Sequence, residues 1–184
     1  MDYFNAFGFI KLKRLFDEAT MKKVANVADR LWKNDFGGPP KPDTSLQQDR
    51  FVERSKTLIS LIDDPRLFDV LQQILGRKLI FCGSEGNYGV AGSPSAHHWH
   101  ADRPGVAELT YLRIKVMLYL SPMTKANGAL RVIPGSHREP LHQTLLPFNQ
   151  RHTETSPVFF GQDGSKIPAY IIETNPGDVI LFSQ

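Results

Sequence analysis

The pattern of apolar residues changes near residue 76, and that change limits the folds open to the chain. Ahead of it, Phe16, Met21, Val24, Val27, Ala28, Leu31 and Trp32 recur every three or four residues. FDEATMKKVANVADRLWKN (16–34) therefore predicts an amphipathic helix. Asp17 and Glu18 stand at its start, where the helix dipole favours acids, and GGPPKPD (37–43) closes it with a loop. A second helix is predicted over 64–75. Asp64 can cap it, Pro65 suits its first turn, and Gly76 stops it. Its buried face would be Leu67, Phe68, Val70, Leu71, Ile74 and Leu75. Beyond residue 76 the runs are short and β-branched or aromatic: KLIFCG (78–83), AHHWHA (96–101), LRIKVMLYLS (112–121), ALRVIPGS (129–136), AYIIE (169–173) and DVILF (178–182). Gly, Pro, Asn and Ser divide them, as expected of strands joined by turns. GFIKLK (8–13) alternates as one further short strand, placed before the helices. Helices first and strands later predict an α+β chain, mainly β, built on an antiparallel barrel or sandwich.

Composition narrows the function. The 184 residues suit a single domain, 1–184, with a sizeable core. Hydrophobic residues make up 41% and charged residues 22%, the usual balance of a soluble globular chain. No apolar run approaches about 18 residues, so no membrane span is expected. The N-terminus lacks the basic head and unbroken apolar stretch of a signal peptide. Cys82 is the single cysteine and has no internal partner for a disulfide, which points to a reducing, cytoplasmic location. The net charge of +3 is mild, and Lys and Arg are scattered, so no nucleic-acid partner is expected. A small anionic substrate suits this charge equally well.

SAHHWHADRPG (95–105) places His97, His98, His100 and Asp102 within six positions. In a strand, residues two apart share a face at a separation of roughly 6.6 Å. His98, His100 and Asp102 would then line one face, with His97, Trp99 and Ala101 on the other. A metal sits at about 2.1 Å from a nitrogen or oxygen donor. His98 and Asp102, about 13 Å apart, cannot comfortably share one ion. Two pairs remain open: His98 with His100, or His100 with Asp102. The His-X-Asp spacing fits non-haem Fe(II) oxygenases, in which two histidines and one carboxylate take one face of the iron and leave the other positions free. By itself the tripeptide is a weak signal.

Three blocks together are more specific: WHAD (99–102), SPMTKANGALRVIPGSHR (121–138) and NPGDVILF (175–182). In this order and rough spacing they resemble the phytanoyl-CoA dioxygenase family. FNAFGFIKLKRLFDEATMKKV (4–24) is similar to that family's entry strand and first helix, so the resemblance covers essentially the whole chain. It implies a double-stranded β-helix (jelly roll, cupin-like) with N-terminal flanking helices. It implies Fe(II) as cofactor, 2-oxoglutarate as cosubstrate, and O₂ with a small-molecule substrate as partners. It selects His100 and Asp102 as iron ligands. Related halogenases carry a small residue at the aspartate position, so Asp102 favours hydroxylation. The family's second histidine follows the strand corresponding to DVILF, and an arginine that pairs with 2-oxoglutarate comes about one strand later. The sequence stops at Gln184, just after a buried-looking strand, before either residue. The expectation is a fragment of low activity that lacks C-terminal strands and the third ligand. A sheet edge left exposed at DVILF would invite a homodimer or strand exchange.

Other contacts are less specific. FCGSEGNYG (81–89) should run beside the metal, where Asn87 or Ser84 would contact 2-oxoglutarate; a Gly86–Asn87 turn is the plainer role for Asn87. Arg103 and His98 are candidate substrate contacts, and Arg103 equally suits a loop cap. His97 and His98 suit groups behind the ligands or on the substrate side better than ligands. Trp99 is expected in the core. Alternation does not decide whether Lys115 and Arg131 point inward. His137 is expected as a loop residue shaping the mouth of the site, His142 in a short helix or turn, and His152 in a polar loop. The rival reading is a non-catalytic small-molecule-binding β-barrel that has lost the metal. A cupin-type metal isomerase or hydrolase ranks lower, because residues 121–138 point elsewhere.

Overall fold

A computed structural model describes residues 2–42, 44–89, 99–102, 112–146, 158–159, 162–163 and 166–184. Helix α1 (Asp2–Phe7) leads into strand β1 (Phe9–Leu12), and α2 (Glu18–Phe36) follows. Asp17 caps α2 by accepting the Thr20 N–H at 2.7 Å, and Gly37 ends it in a left-handed conformation. Strand β2 (Ser45–Asp49), a single 3₁₀ turn (Val52–Arg54), α3 (Lys56–Ile62) and α4 (Pro65–Leu75) come next. Asp64 caps α4 through the Arg66 N–H, with Pro65 in the first turn. The second half carries β3 (Glu85–Gly89), β4 (Ile114–Leu118), β5 (Leu130–Val132), α5 (Leu141–Leu145), β6 (Val158–Phe159), β7 (Gln162–Asp163), β8 (Tyr170–Ile172) and β9 (Val179–Ser183). Among the described residues no helix is long and apolar enough to cross a membrane.

All strand pairings among the described residues are antiparallel, in sheets ordered β1-β9-β4, β2-β3, β5-β8 and β6-β7. The three-stranded sheet divides the core. Val179 and Leu181 pack against Met21, Val24, Val27, Ala28 and Trp32 of α2, and against Leu58, Leu67 and Leu71 of α3 and α4. On the opposite face Phe9 and Ile180 meet Ile172, with Leu130 and Val132 of the β5-β8 pair beside them. Because β9 is covered on both faces, its sequence is a continuous apolar run rather than an alternating one, and Val179, Ile180 and Leu181 are fully buried.

Several sequence expectations change. DVILF is not a sheet edge: β9 pairs with β1 on one side and β4 on the other, so the outer strands of that sheet are β1 and β4. The argument for a homodimer through this strand loses its basis. KLIFCG forms no strand; Ile80 and Phe81 are exposed, and the strand begins at Glu85. Apolar character alone does not make a strand; pairing with a neighbouring segment is needed as well. Residues 45–49, a polar stretch without a strand signal, form β2 because Leu46 pairs with Tyr88 and packs on the helical core. The short α1 and α3 escape periodicity altogether. A mainly β chain is accurate for the second half only, since α2, α3 and α4 fill most of the first.

Candidate metal centre

The geometry starts from β4. Its register places Lys115 opposite Phe182 and Met117 opposite Ile180, on the sheet face turned away from the helices. This decides the orientation that alternation left open for Lys115. Its ammonium is part-buried and lies 3.0 Å from Glu85 Oε1 and 3.2 Å from Asp102 Oδ2. Gln47, the β2 partner of Asn87, donates its side-chain N–H to Glu85 Oε2 at 3.2 Å. Gln184, at the end of β9, donates to Asp102 Oδ2 at 3.2 Å.

Residues 99–102 form a bend rather than the expected strand. The bend brings His100 Nε2 to 3.4 Å from Asp102 Oδ1, well inside the separation of strand neighbours. Trp99 is partly buried, and the Arg131 guanidinium lies over its ring at 4.8 Å from the centroid. The hydrogen bond to His100 holds the Asp102 carboxyl well below the usual carboxylate range; burial opposes this and Lys115 adds to it. Asp102 is thus an anion across the physiological range. For Lys115 burial works against the charge, but the Glu85 hydrogen bond and the two carboxylates outweigh it, so its pKa is raised.

The pair fits a divalent cation. Two donors that each sit about 2.1 Å from one ion can be as much as about 4.2 Å apart, and 3.4 Å lies within that reach. One imidazole nitrogen and one carboxylate oxygen form a donor set that iron accepts. Among the described residues no group of three His, Cys, Asp or Glu gathers closely enough to hold a metal.

The other candidates fall in different places. Asn87 is exposed within β3, two residues along the face that begins with Glu85, and so belongs to a strand rather than a Gly86–Asn87 turn. Ser84 is engaged elsewhere: its hydroxyl accepts the Val52 N–H at 2.9 Å and donates to Glu53, tying the 3₁₀ turn to the start of β3. His97, His98, Arg103 and His152 lie outside the described residues. His137 Nε2 donates to the Asn5 carbonyl at 3.1 Å and fastens its turn to α1, while His142, in α5, reaches the Ser136 carbonyl at 3.3 Å. Sequence reasoning missed Glu85 and Gln47. The available signal was an acid opening a half-buried strand and a lysine inside the apolar run RIKVML.

The phytanoyl-CoA dioxygenase (PhyH) family model matches residues 4–184. The chain belongs to this family. Among similar proteins, the ectoine dioxygenase of Bordetella parapertussis is 26% identical over 145 residues, covering 72% of this chain and 46% of the relative. Dioxygenase lolE1 of Epichloe uncinata is 22% identical over 195 residues, covering 100% of this chain and 72% of the relative. The chain thus spans about half the length of the ectoine dioxygenase it matches. Solved structures share the fold. The non-heme alpha ketoglutarate dependent carbocyclase SnoK from nogalamycin biosynthesis gives a TM-score of 0.72 at 16% identity, covering 99% of this chain and 72% of that one. HygX from Streptomyces hygroscopicus, solved with nickel and 2-oxoglutarate bound, gives 0.65 at 18% identity, covering 97% and 74%. The PhyH-family chain therefore has the fold of Fe/2-oxoglutarate oxygenases, with mixed helices and antiparallel sheets.

Proposed function

We propose that the protein is an Fe(II)- and 2-oxoglutarate-dependent oxygenase that hydroxylates an unactivated C–H of a small molecule, with His100 and Asp102 as two of its three iron ligands. The observation that carries this reading is the convergence of His100 Nε2 and Asp102 Oδ1 at 3.4 Å, in a chain of the PhyH family. Gln184, the residue after β9, also reaches Asp102, at 3.2 Å. Residues 1–184 are read as belonging to one domain, a double-stranded β-helix whose two layers contain the β1-β9-β4 and β5-β8 sheets. Asn87, on the Glu85 face of β3, is assigned to the cosubstrate side, and His98 and Arg103 to the substrate side. The lone, exposed Cys82 suits a cytoplasmic setting.

When bound, iron and 2-oxoglutarate supply the oxidising chemistry: one atom of O₂ enters the substrate as hydroxyl and the other enters succinate, with release of CO₂. The chain's residues supply the setting. His100 offers an imidazole nitrogen and Asp102 an ionised oxygen from one bend. Lys115 and Glu85 balance charge beside them. Ile180 and Phe182, on the same sheet face, make an apolar floor that limits water.

The test uses the full-length protein supplied with Fe(II), 2-oxoglutarate and O₂. Succinate release is expected, and His100→Ala and Asp102→Ala should abolish it together with Fe(II) binding. Unchanged Fe(II) affinity in both variants would refute the ligand assignment.

A further inference from the structure

Asp102 has two oxygens, and they are treated differently. Oδ1 faces His100 Nε2. Oδ2 accepts from Lys115 Nζ and from Gln184 Nε2, each at 3.2 Å. Lys115 is braced in turn by Glu85 at 3.0 Å, and Glu85 by Gln47 at 3.2 Å. Lys115 of β4 and Gln184, the residue after β9, thus hold this oxygen directly, while Glu85 of β3 and Gln47 of β2 brace the lysine. We infer that Lys115 is a positioning residue: braced by Glu85, its ammonium occupies Oδ2 of Asp102 and leaves Oδ1 as the single oxygen presented to the metal.

The chemistry of the centre gives this arrangement a purpose. A carboxylate left free can bind a cation through both oxygens. A second bond from Asp102 would take one of the positions that a facial two-histidine, one-carboxylate site keeps for cosubstrate and O₂. Holding Oδ2 elsewhere preserves that position. Groups behind a metal ligand commonly act this way, and their loss typically costs about 10–100-fold in metal affinity or activity.

This inference rests on the proposed metal site, so its test separates the two. Mn(II) is titrated into the full protein, and water-proton relaxation reports the number of water molecules on the bound ion. His100→Ala examines the site itself: if that variant binds Mn(II) as well as the parent, the metal reading fails whatever Lys115 does. Lys115→Met examines the inference through the water count. Removing a positive charge next to a cation strengthens binding through the field alone and leaves the bound waters unchanged. Loss of positioning lets Asp102 bind through both oxygens and displace a water. The expected result is fewer bound waters in Lys115→Met, with the parent's count restored in Lys115→Arg. The parent's water count in Lys115→Met would overturn the proposal. Lys115→Leu gives the same test if the Met variant does not fold.

Discussion

Gly177, in the turn that starts β9, offers the sharpest test of how this fold is held. Its φ is +95°, a conformation that side chains disfavour. A Cβ built there would lie 2.2 Å from the Phe16 carbonyl oxygen. That carbonyl cannot swing aside, because the neighbouring Phe16 N–H donates to the Gly177 carbonyl at 3.1 Å and locks the two segments. Gly37, which ends α2, has a similar φ of +80° but open space around its Cβ direction. Alanine in the left-handed region costs about 1–2 kcal/mol at either position. At Gly177 the crowded contact adds about 1–3 kcal/mol, and weakening the Phe16 hydrogen bond adds about 0.5–1.5 kcal/mol. Gly177→Ala should therefore lose about 3–5 kcal/mol and Gly37→Ala about 1–2 kcal/mol. For a chain of this size each kcal/mol lowers the melting temperature by about 2–4 °C, so the Gly177 variant should melt on the order of 10 °C lower. Thermal and urea unfolding followed by far-UV circular dichroism measure both variants. Equal losses would refute the reasoning, since they would mean that backbone conformation alone counts and the Phe16 contact contributes nothing.

Leu181→Ala removes a fully buried side chain between the sheet and the helices, and should cost about 2–5 kcal/mol in urea unfolding; a loss below about 1 kcal/mol would contradict that packing. His137 sets a pH dependence. Burial pushes its pKa below the usual histidine value of 6.5, against the opposing hydrogen bond to the Asn5 carbonyl. The folded state binds this proton less readily than the unfolded chain, so the contribution is whole above the unfolded pKa and is lost as pH falls through the folded one. The urea midpoint should fall from neutral pH into the acid range, less steeply in His137→Gln; identical slopes would rule the residue out.

Much of the local structure could be read before any coordinates. Helices α2 and α4 follow from apolar spacing together with Asp17, Asp64, Pro65, Gly37 and Gly76, because helical hydrogen bonds and caps lie within a few residues of one another. Five strands follow from short apolar runs between turn residues. His100 and Asp102 were selected by the resemblance of three sequence blocks, since spacing alone left two pairs open, and the structure brings the two side chains to 3.4 Å. KLIFCG shows the limit: it has strand composition but pairs with no strand among the described residues, whereas the polar SLQQD becomes β2 because EGNYG lies beside it.

What the sequence alone determined is therefore helices α2 and α4 with their caps and five of the strands, all decided by neighbours along the chain. Tertiary structure decided which residues meet across it. It placed β9 between β1 and β4, turned Lys115 away from the helices, and brought Glu85 and Gln184 toward Asp102 from separate strands. A period of two shows that a strand has two faces, but only its pairing partners and the layer above it determine which face looks onto His100 and Asp102.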